Sequence, residues 1–427
     1  MAIGDIIVGL DIGASKVSCV IGQVNKFNEI EVIGHGLSKN SGIKKGKIID
    51  LQVTAKAIMR AIQGAEEVSE LSVNSAYVNI KGMNSRIERV VIESGVEKPD
   101  DGMTIKDIYE AYSKAQIATK LEDGEQIIDI IPSQYEINGR LYKEEPVGAF
   151  CKTFKMESEV VVANGEYIEQ VQKVLNMAGL KLDGLILETL ATSNIVLMPE
   201  EKEMGVILID IGAMHTDISV YKDSKIEFYT TLPVGGDHIT NDIALTLNIT
   251  TDEADKLKKQ YNLAIKAMIT NDHDIKLNTK QSADPKDSII KCSDIVSIIE
   301  ARVKEIFQII KKMSIDSGLT NKFDCVVLTG QGISNIIGAE ELAMLILKRK
   351  QVRICSPKMI NIIKPQHTTA FGMVRYIATL GISKHVSSDV ELITELSLKD
   401  RILSGFQGAK SKFKNIFKKV KENDDEE

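Results

Sequence analysis

The chain has 427 residues, of which 43% are hydrophobic and 26% charged, and its formal net charge is −7. This length is too great for one ordinary core, and the composition is typical of a soluble globular protein, so we expect two or more lobes. The negative charge argues against a general nucleic-acid binder, and five scattered cysteines without a Cys-x-x-Cys pair indicate reduced thiols rather than a metal site. No apolar run reaches the roughly 18 residues that predict a spanning helix, so we expect the body of the protein in the cytosol.

The first predicted elements form a pattern that occurs twice, at residues 6–17 and 206–220. In each copy a β-branched apolar run is followed by an Asp-x-Gly turn and a second β-rich run. The short polar link fits a β-hairpin better than a strand that leads into a helix. Backbone amides of such a turn can hold phosphate oxygens. Two copies, each followed by a longer α/β stretch, predict two related lobes that face each other across a cleft, each with one phosphate-binding hairpin.

The two turns carry residues suited to phosphate and Mg²⁺. The carboxylates of Asp11 and Asp210 are hard ligands that we expect to hold Mg²⁺, directly or through water. Lys16 would neutralise phosphate charge. The predicted nucleotide-binding residues are Asp11, Gly13, Ala14, Ser15 and Lys16 in the first turn, and Asp210, Gly212, Ala213, Met214, His215 and Thr216 in the second.

A third element, residues 324–333, is a buried-type strand that ends in the small-residue turn Gly330, Gln331 and Gly332. A helical pattern follows at residues 339–347. The turn would let adenine and ribose lie against backbone, whereas the alternative is an ordinary strand-to-helix connection. The chain has no G-x-x-x-x-G-K-[ST] sequence, which excludes a P-loop, and no G-x-G-x-x-G between a strand and a helix supports a Rossmann site.

Two Asp-x-Gly hairpins and a late Leu-Thr-Gly-x-Gly turn resemble the actin, Hsp70 and sugar-kinase superfamily. Within it, the chain resembles FtsA over nearly its whole length. The stretches that carry this resemblance are 42–50, 131–135 (Ile-Pro-x-x-Tyr), 232–244 with Gly235 and Gly236, and 254–258 with Asp255 and Lys258. The resemblance implies an α/β actin-like (ribonuclease H-like) fold of two lobes, with an FtsA-type inserted subdomain and a C-terminal amphipathic helix. It also implies ATP and Mg²⁺ as ligands, with Gly235 and Gly236 on the nucleotide side and Asp255 and Lys258 near the nucleoside.

The chain departs from the family pattern at both nucleotide turns. Ala213 and Met214 stand where glycines are usual, so any positive φ there would be strained. Gln331 replaces the middle glycine of the adenosine turn, and we therefore expect weak or altered ATP binding. Asp11, Asp210 and Asp217 are candidate catalytic acids, and the resemblance implies slow or absent hydrolysis. His215 is either a general base or a solvated turn residue, and we favour the second.

The resemblance also predicts the domain boundaries. Lobe one would comprise residues 1–84, 164–203 and the crossing segment with the last helix, 365–382. An inserted subdomain used for self-association would occupy 85–163. Lobe two would comprise 204–240, a helical subdomain at 241–320, and 321–364 with the adenosine turn. Beyond them we expect a linker at 383–396, an amphipathic helix at 397–421 and an acidic end at 422–427.

The tail combines apolar residues at helical spacing with lysines on the other face. This pattern predicts a helix that lies on an anionic lipid membrane, and the alternatives are a packed terminal helix and a nucleic-acid arm. A packed helix seldom carries so many lysines on one side, and a nucleic-acid arm does not need phenylalanines at this spacing. The predicted membrane residues are Leu398, Ile402, Phe406, Lys410, Phe413, Lys414, Ile416, Phe417 and Lys418.

These features lead to one functional hypothesis and two alternatives. The FtsA resemblance implies an ATP-binding adaptor that self-assembles and tethers FtsZ filaments to the cytoplasmic side of the cell membrane at the septal Z ring. The C-terminal tail of FtsZ would bind near 241–320. The alternatives are an enzyme of the same fold, such as a small-molecule kinase or Hsp70-like ATPase, and a pilus-assembly scaffold.

Overall fold

The computed structural model describes residues 4–27, 29–44, 46–277, 289–355 and 365–382. These residues form two compact units. Of the described residues, the first unit contains those up to Gly42, those in Lys47–Ala191 and those in Thr369–Ile382, and the second contains those in Ile43–Gly46 and in Thr192–Thr368. The predicted linker, amphipathic helix and acidic end lie outside the described residues.

Groups of strands are separated by one or two helices along the chain. The strands are β1 (Ile6–Ile12), β2 (Lys16–Val24), β3 (Ile30–Lys39), β4 (Ile43–Lys44), β5 (Lys47–Ile48), β6 (Ser75–Ile80), β7 (Ser85–Gly95), β8 (Glu125–Ile137), β9 (Arg140–Tyr142), β10 (Thr153–Asn164), β11 (Lys181–Leu187), β12 (Val206–Ile211), β13 (Thr216–Lys222), β14 (Lys225–Leu232), β15 (Asp274–Lys276), β16 (Ile289–Lys291), β17 (Cys325–Thr329) and β18 (Gln351–Ile354). The α-helices are α1 (Leu51–Ser69), α2 (Ile105–Ala118), α3 (Gly165–Met177), α4 (Glu188–Val196), α5 (Pro199–Met204), α6 (Gly236–Thr246), α7 (Thr251–Gln260), α8 (Cys292–Asp316), α9 (Ala339–Leu347) and α10 (Thr368–Ile382).

A five-stranded mixed sheet forms the centre of the first unit, in the order β11-β6-β1-β2-β3. β1 pairs antiparallel with β2 and parallel with β6, which in turn pairs parallel with β11. β1 and β2 read as near-continuous apolar runs because both faces of the sheet are covered there. The side chain of Asp50 caps α1 by accepting a hydrogen bond from the Val53 amide.

Two helices lie unusually close to this sheet, and glycines make the approach possible. A β-carbon at Gly36 of β3 would lie 1.9 Å from the Ala61 carbonyl oxygen of α1. A β-carbon at Gly9 of β1 would lie 2.3 Å from the Ala370 carbonyl oxygen of α10. Because nonbonded atoms cannot approach so closely, only glycine fits at either position.

Residues 85–164, which we call the inserted region, form a separate sheet of β7-β10-β8-β9 within the first unit. α2 packs on this sheet through Ile108, Ala111 and Ala115. The helix begins with a capping box, in which the Asp107 carboxylate accepts hydrogen bonds from the amide and hydroxyl of Thr104. The sequence placed an inserted subdomain at 85–163.

The second unit is built on a sheet of β14-β13-β12-β17-β18. β12 pairs antiparallel with β13 and parallel with β17, which pairs parallel with β18. The apolar stripe of α8, which includes Ile299, Val303 and Ile306, belongs to the core of this unit. The guanidinium of Arg353 donates two hydrogen bonds to the Glu201 carboxylate, at 2.8 and 2.6 Å, and so links β18 to α5.

The five cysteines form no disulfide, and all but the half-buried Cys325 are buried. Among the helices of the described residues, none combines the length and the apolar content that crossing a bilayer requires.

The Gly36 contact yields a prediction about stability. Gly36→Ala forces β3 and α1 apart and should lower the free energy of unfolding by about 1–3 kcal/mol in urea titrations. Gly95→Ala is the matched control, because a β-carbon at this strand glycine would have only one neighbour, at 3.9 Å. The control should be neutral or stabilising by up to about 1 kcal/mol. Equal effects of the two substitutions would contradict the steric argument.

Candidate functional site

The two Asp-x-Gly turns are β-hairpins with the same register, which confirms the hairpin prediction. In the first, Ile12 pairs with Val17 and the Gly13 amide donates to the Lys16 carbonyl oxygen at 2.9 Å. In the second, Ile211 pairs with Thr216 and the Gly212 amide donates to the His215 carbonyl oxygen at 2.9 Å. Asp11 and Asp210 are therefore equivalent, and so are Lys16 and His215.

The second hairpin tolerates its two non-glycine residues. Neither Ala213 nor Met214 has a positive φ, so the strain that the sequence made conceivable does not occur. His215 is 7% exposed. The expectation of a solvated histidine is therefore wrong, because the turn directs this residue into the protein rather than into solvent.

Asp11 lies in a buried polar cluster that also contains Asn79, Lys81 and Glu188. The Asn79 side-chain amide donates to Asp11 at 2.9 Å and to Glu188 at 2.8 Å, and its oxygen accepts the Ile12 amide at 2.8 Å. The Lys81 ammonium donates to the other Glu188 oxygen at 2.9 Å. Asn79 thus joins the end of β1 to both carboxylates.

The cluster perturbs Asp11 electrostatically. Burial, followed by the negative charge of Glu188, raises the pKa of Asp11 to about 6, although Lys16 and Lys81 lower it in part. Asp11 is only 5% exposed, so water offers its charged form little solvation. A cation that binds the Asp11 carboxylate would interact with an anion that little water solvates.

Sequence reasoning missed Asn79, Lys81 and Glu188, which come from the ends of β6 and β11. These strands run parallel to β1, and the carboxyl ends of parallel strands meet at one edge of a sheet, where ligands commonly bind. A polar residue near the end of each apolar strand was the available signal. Its importance depends on strand order, which the sequence does not display.

In the second unit, the Gly235–Gly236 turn and the Gly330–Gly332 turn both lie against the hairpin turn at Gly212. We call the five glycines that meet there the glycine cradle: Gly212, Gly235, Gly236, Gly330 and Gly332. The Gly236 amide donates to the Gly212 carbonyl oxygen at 2.9 Å, and the Gly332 amide donates to the Ile211 carbonyl oxygen at 2.8 Å.

Apart from Gly212, the cradle glycines leave no room for a β-carbon. A β-carbon at Gly235 or at Gly332 would lie 2.6 Å from the Gly212 oxygen. Gly330 has φ +93°, and a β-carbon there would lie 2.3 Å from Oδ1 of Asp210. The cradle therefore presents backbone groups, with Asp210 beside them, whereas Gln331 at its edge is exposed.

Lys258 of α7 lies at the first turn of α6, next to the cradle. Its ammonium donates to the Gly236 carbonyl oxygen at 3.1 Å and to the Thr240 hydroxyl at 2.6 Å. Asp255 lies 3.4 Å from the same ammonium. The structure thus places a cation and an acid beside an α-helical N-terminus, whose unpaired amides favour anions.

Asp217 and Thr216 are engaged within the sheet of the second unit. The Asp217 carboxylate accepts hydrogen bonds from the Thr231 hydroxyl at 2.5 Å and the Tyr229 hydroxyl at 3.3 Å. The Thr216 hydroxyl donates to the Val234 carbonyl oxygen at 2.7 Å, which ties the hairpin to the segment just before Gly235.

The predicted site residues therefore fall into three groups. Asp11, Gly13, Ala14, Ser15 and Lys16 share the hairpin of the first unit. The predicted residues from Asp210 to Gly332 gather around the hairpin of the second unit. The nine predicted membrane residues, Leu398 to Lys418, lie outside the described residues.

Comparison with solved structures defines the class of protein. The chain matches a structure of the PilM–PilN type IV pilus biogenesis complex with a TM-score of 0.61 and 16% identity, over 87% of this chain and 98% of that one. It matches MreB5 of Spiroplasma citri bound to ADP with a TM-score of 0.55 and 12% identity, over 90% and 99%. The fold is the predicted α/β actin-like fold.

Sequence comparison defines the family. The family model described as cell division protein FtsA matches residues 207–372. The cell division protein FtsA of Pseudomonas aeruginosa is 30% identical over 379 residues, which is 87% of this chain and 89% of the relative. The chain belongs to the FtsA family of cell division proteins.

The buried Asp11 predicts a pH dependence of stability. Its pKa is higher in the fold, about 6, than its usual 3.8, so the folded state binds more protons between these values and the free energy of unfolding falls as pH rises through them. At about pH 7.5 the charged carboxylate costs on the order of 2–3 kcal/mol. Asp11→Asn keeps an acceptor for Asn79, and it should raise the urea midpoint of the ligand-free protein and flatten its dependence between about pH 4 and 6.5.

The exposed Asp100→Asn, measured in the same chelator-containing buffer, is the control and should change neither quantity. A lower midpoint for Asp11→Asn would show that the hydrogen bonds of this carboxylate outweigh its burial.

Proposed function

We propose that the chain binds ATP with Mg²⁺ and acts as an adaptor that tethers FtsZ filaments to the cytoplasmic face of the cell membrane. The observation that carries the nucleotide part is the glycine cradle. Five glycines from three separate turns meet there, and at four of them, all but Gly212, the neighbouring atoms exclude a β-carbon. The three turns therefore present backbone rather than side chains, which suits a nucleotide that approaches the backbone closely.

The chemistry around the cradle supports a nucleotide rather than another ligand. Backbone amides of the two hairpins suit phosphate oxygens, and Lys16 and Lys258 supply cations in the first and second units. The N-terminus of α6 favours an anion. MreB5, which shares the fold, is bound to ADP in its solved structure.

The carboxylates available fit Mg²⁺, which keeps several waters and takes one or two carboxylates together with phosphate oxygens. Asp11 and Asp210 would hold it, directly or through water. Mg²⁺ would neutralise charge on the phosphates. Such a site needs no cluster of three protein ligands, and the described residues contain none.

For hydrolysis, Asp11 and Asp210 remain better candidates than Asp217, whose carboxylate already accepts two side-chain hydrogen bonds. Glu188 joins them, because Asn79 and Lys81 fix its position near Asp11. The family resemblance implies slow turnover, so we expect nucleotide to act mainly as an assembly ligand.

The membrane and FtsZ roles rest on the family and on the tail. Relatives named cell division protein FtsA align over most of the chain, and the residues beyond Ile382 include the lysine-flanked apolar pattern. We assign the tail to anionic lipid, the subdomain at 241–320 to the C-terminal tail of FtsZ, and the inserted region to self-association. The protein would then lie at the septum as a peripheral component of the Z ring.

A pilus-assembly scaffold is the second candidate, because the PilM–PilN complex matches the fold with a TM-score of 0.61. Sequence favours division, since identity to the division relative is 30% against 16% for the pilus structure. Binding to FtsZ separates the two.

The cradle predicts the effect of Gly330→Ala on nucleotide affinity. The added methyl would collide with Asp210, so the Kd for Mg-ATP, measured by calorimetry, should rise at least about tenfold, or about 1.4 kcal/mol. Gly318→Ala is the control, because this glycine also has positive φ, +66°, but no atom near its β-carbon position. It shares the backbone strain without the collision, and an equal loss of affinity in both variants would remove the cradle from the site.

The tail predicts membrane binding. FtsZ should sediment with anionic liposomes in the presence of the full chain and remain in solution with a chain truncated after Glu395. Ile416→Glu places a charge on the apolar face and should release the protein, whereas Asn415→Glu adds the same charge to the opposite face and should weaken binding much less.

If the chain sediments but FtsZ does not, the division partner is wrong and the pilus-type scaffold is favoured. If neither chain sediments, the tail does not bind membrane.

A further inference from the structure

Asp129 is a buried carboxylate in an otherwise apolar part of β8, between Ile127–Ile128 and Ile130–Ile131. It is only 8% exposed. A carboxylate in such a place is costly unless hydrogen bonds compensate the lost water. The Ile130 amide donates to Oδ1 at 2.9 Å, and the Tyr376 hydroxyl donates to Oδ2 at 3.2 Å.

The Tyr376 bond joins parts of the first unit that are 247 positions apart in sequence. Asp129 belongs to the inserted region, whereas Tyr376 belongs to α10, the last described helix. Burial strengthens such a bond, because little water is present to compete for the two groups. The bond therefore resists relative movement of the inserted region and α10.

The opposite side of α10 is fixed to the strands of the first hairpin. The Ala370 carbonyl lies against Gly9 of β1, and the Val374 side chain lies against both Gly9 and Gly22 of β2. Gly372 lies against the Ala191 carbonyl of α4 with equally little space. Gly9 is two residues before Asp11, so α10 contacts the strand that carries the candidate site.

We propose that α10 is a coupling helix. Its Tyr376–Asp129 hydrogen bond, which we call the latch, connects the inserted region to the packing of α10 against Gly9 of β1 and Gly22 of β2, which we call the seat of α10. A change in these packing contacts of α10 then alters how readily the inserted region opens locally. The Tyr376 hydroxyl transmits this change. This inference goes beyond the proposed function and does not depend on nucleotide binding, because it concerns contacts within the ligand-free protein.

The contact geometry favours transmission over independent motion. Between Thr368 and Ala378, every residue of α10 except Arg375 is buried. A helix packed on so many sides cannot adjust at one contact without displacement at another, because protein interiors are densely packed. The inserted region also contacts β11 and α3, so the latch is one of several connections and its loss should have a moderate effect.

The first test is amide hydrogen exchange of the full chain with and without Tyr376→Phe, which removes only the hydroxyl. Amides of β8 should exchange about 2- to 10-fold faster, the range expected from one hydrogen bond. Amides of β12 and β17 in the second unit should not change. Tyr142→Phe makes the same chemical change at an exposed position of the inserted region and should have no effect.

The second test asks whether the seat of α10 communicates with β8. Val374→Ala removes the methyl groups that contact Gly9 and Gly22, and it should accelerate exchange of β8 when Tyr376 is present. In the Tyr376→Phe background this acceleration should shrink to less than half, because the transmitting bond is gone.

Unchanged β8 exchange in Tyr376→Phe would overturn the latch. Equal acceleration by Val374→Ala in both backgrounds, or none in either, would overturn the coupling. A loss of ATP binding would leave these outcomes unaffected, so failure of this inference and failure of the proposed function remain distinguishable.

Discussion

At several places where this fold brings distant segments together, carbonyl oxygens approach glycine Cα atoms more closely than a β-carbon would allow. Ala61 of α1 faces Gly36, Ala370 of α10 faces Gly9, and the Gly212 carbonyl faces two further glycines of the cradle. The first two contacts hold helices against the sheet of the first unit. The contacts at Gly212 hold three turns together in the second unit. The same steric requirement thus builds the core and the candidate site.

The candidate site combines this close packing with buried charges, which are energetically unfavourable. Asp11 and Glu188 are both almost inaccessible, and their negative charges repel each other. Asn79 donates hydrogen bonds to both carboxylates, and the Lys81 ammonium neutralises the charge of Glu188. These contacts reduce the free-energy cost of burying the two charges but do not remove it. Such a cost is common where a protein binds a cation, because groups arranged for a ligand are poorly satisfied in its absence.

Local pattern was enough to predict the hairpins, the strand at 325–329 and the helix at 339–347. An apolar run before an Asp-x-Gly turn allows few conformations, and the second copy made the interpretation specific. The Asn79, Lys81 and Glu188 cluster was not predictable in this way, since its members meet only through the parallel order of β1, β6 and β11. The burial of His215 and the unstrained φ of Ala213 were likewise hidden, because side-chain direction within a turn depends on the surrounding packing.

The packing of α10 against β1, β2 and α4 has a mechanical consequence. The chain continues beyond Ile382, so any pulling force on that continuation acts first on this helix. The contacts of Ala370 with Gly9 and of Gly372 with Ala191 are so close that they leave no space for α10 to slide. Tension would therefore be borne by the strands of the first hairpin and by the inserted region rather than dissipated at the end of the helix.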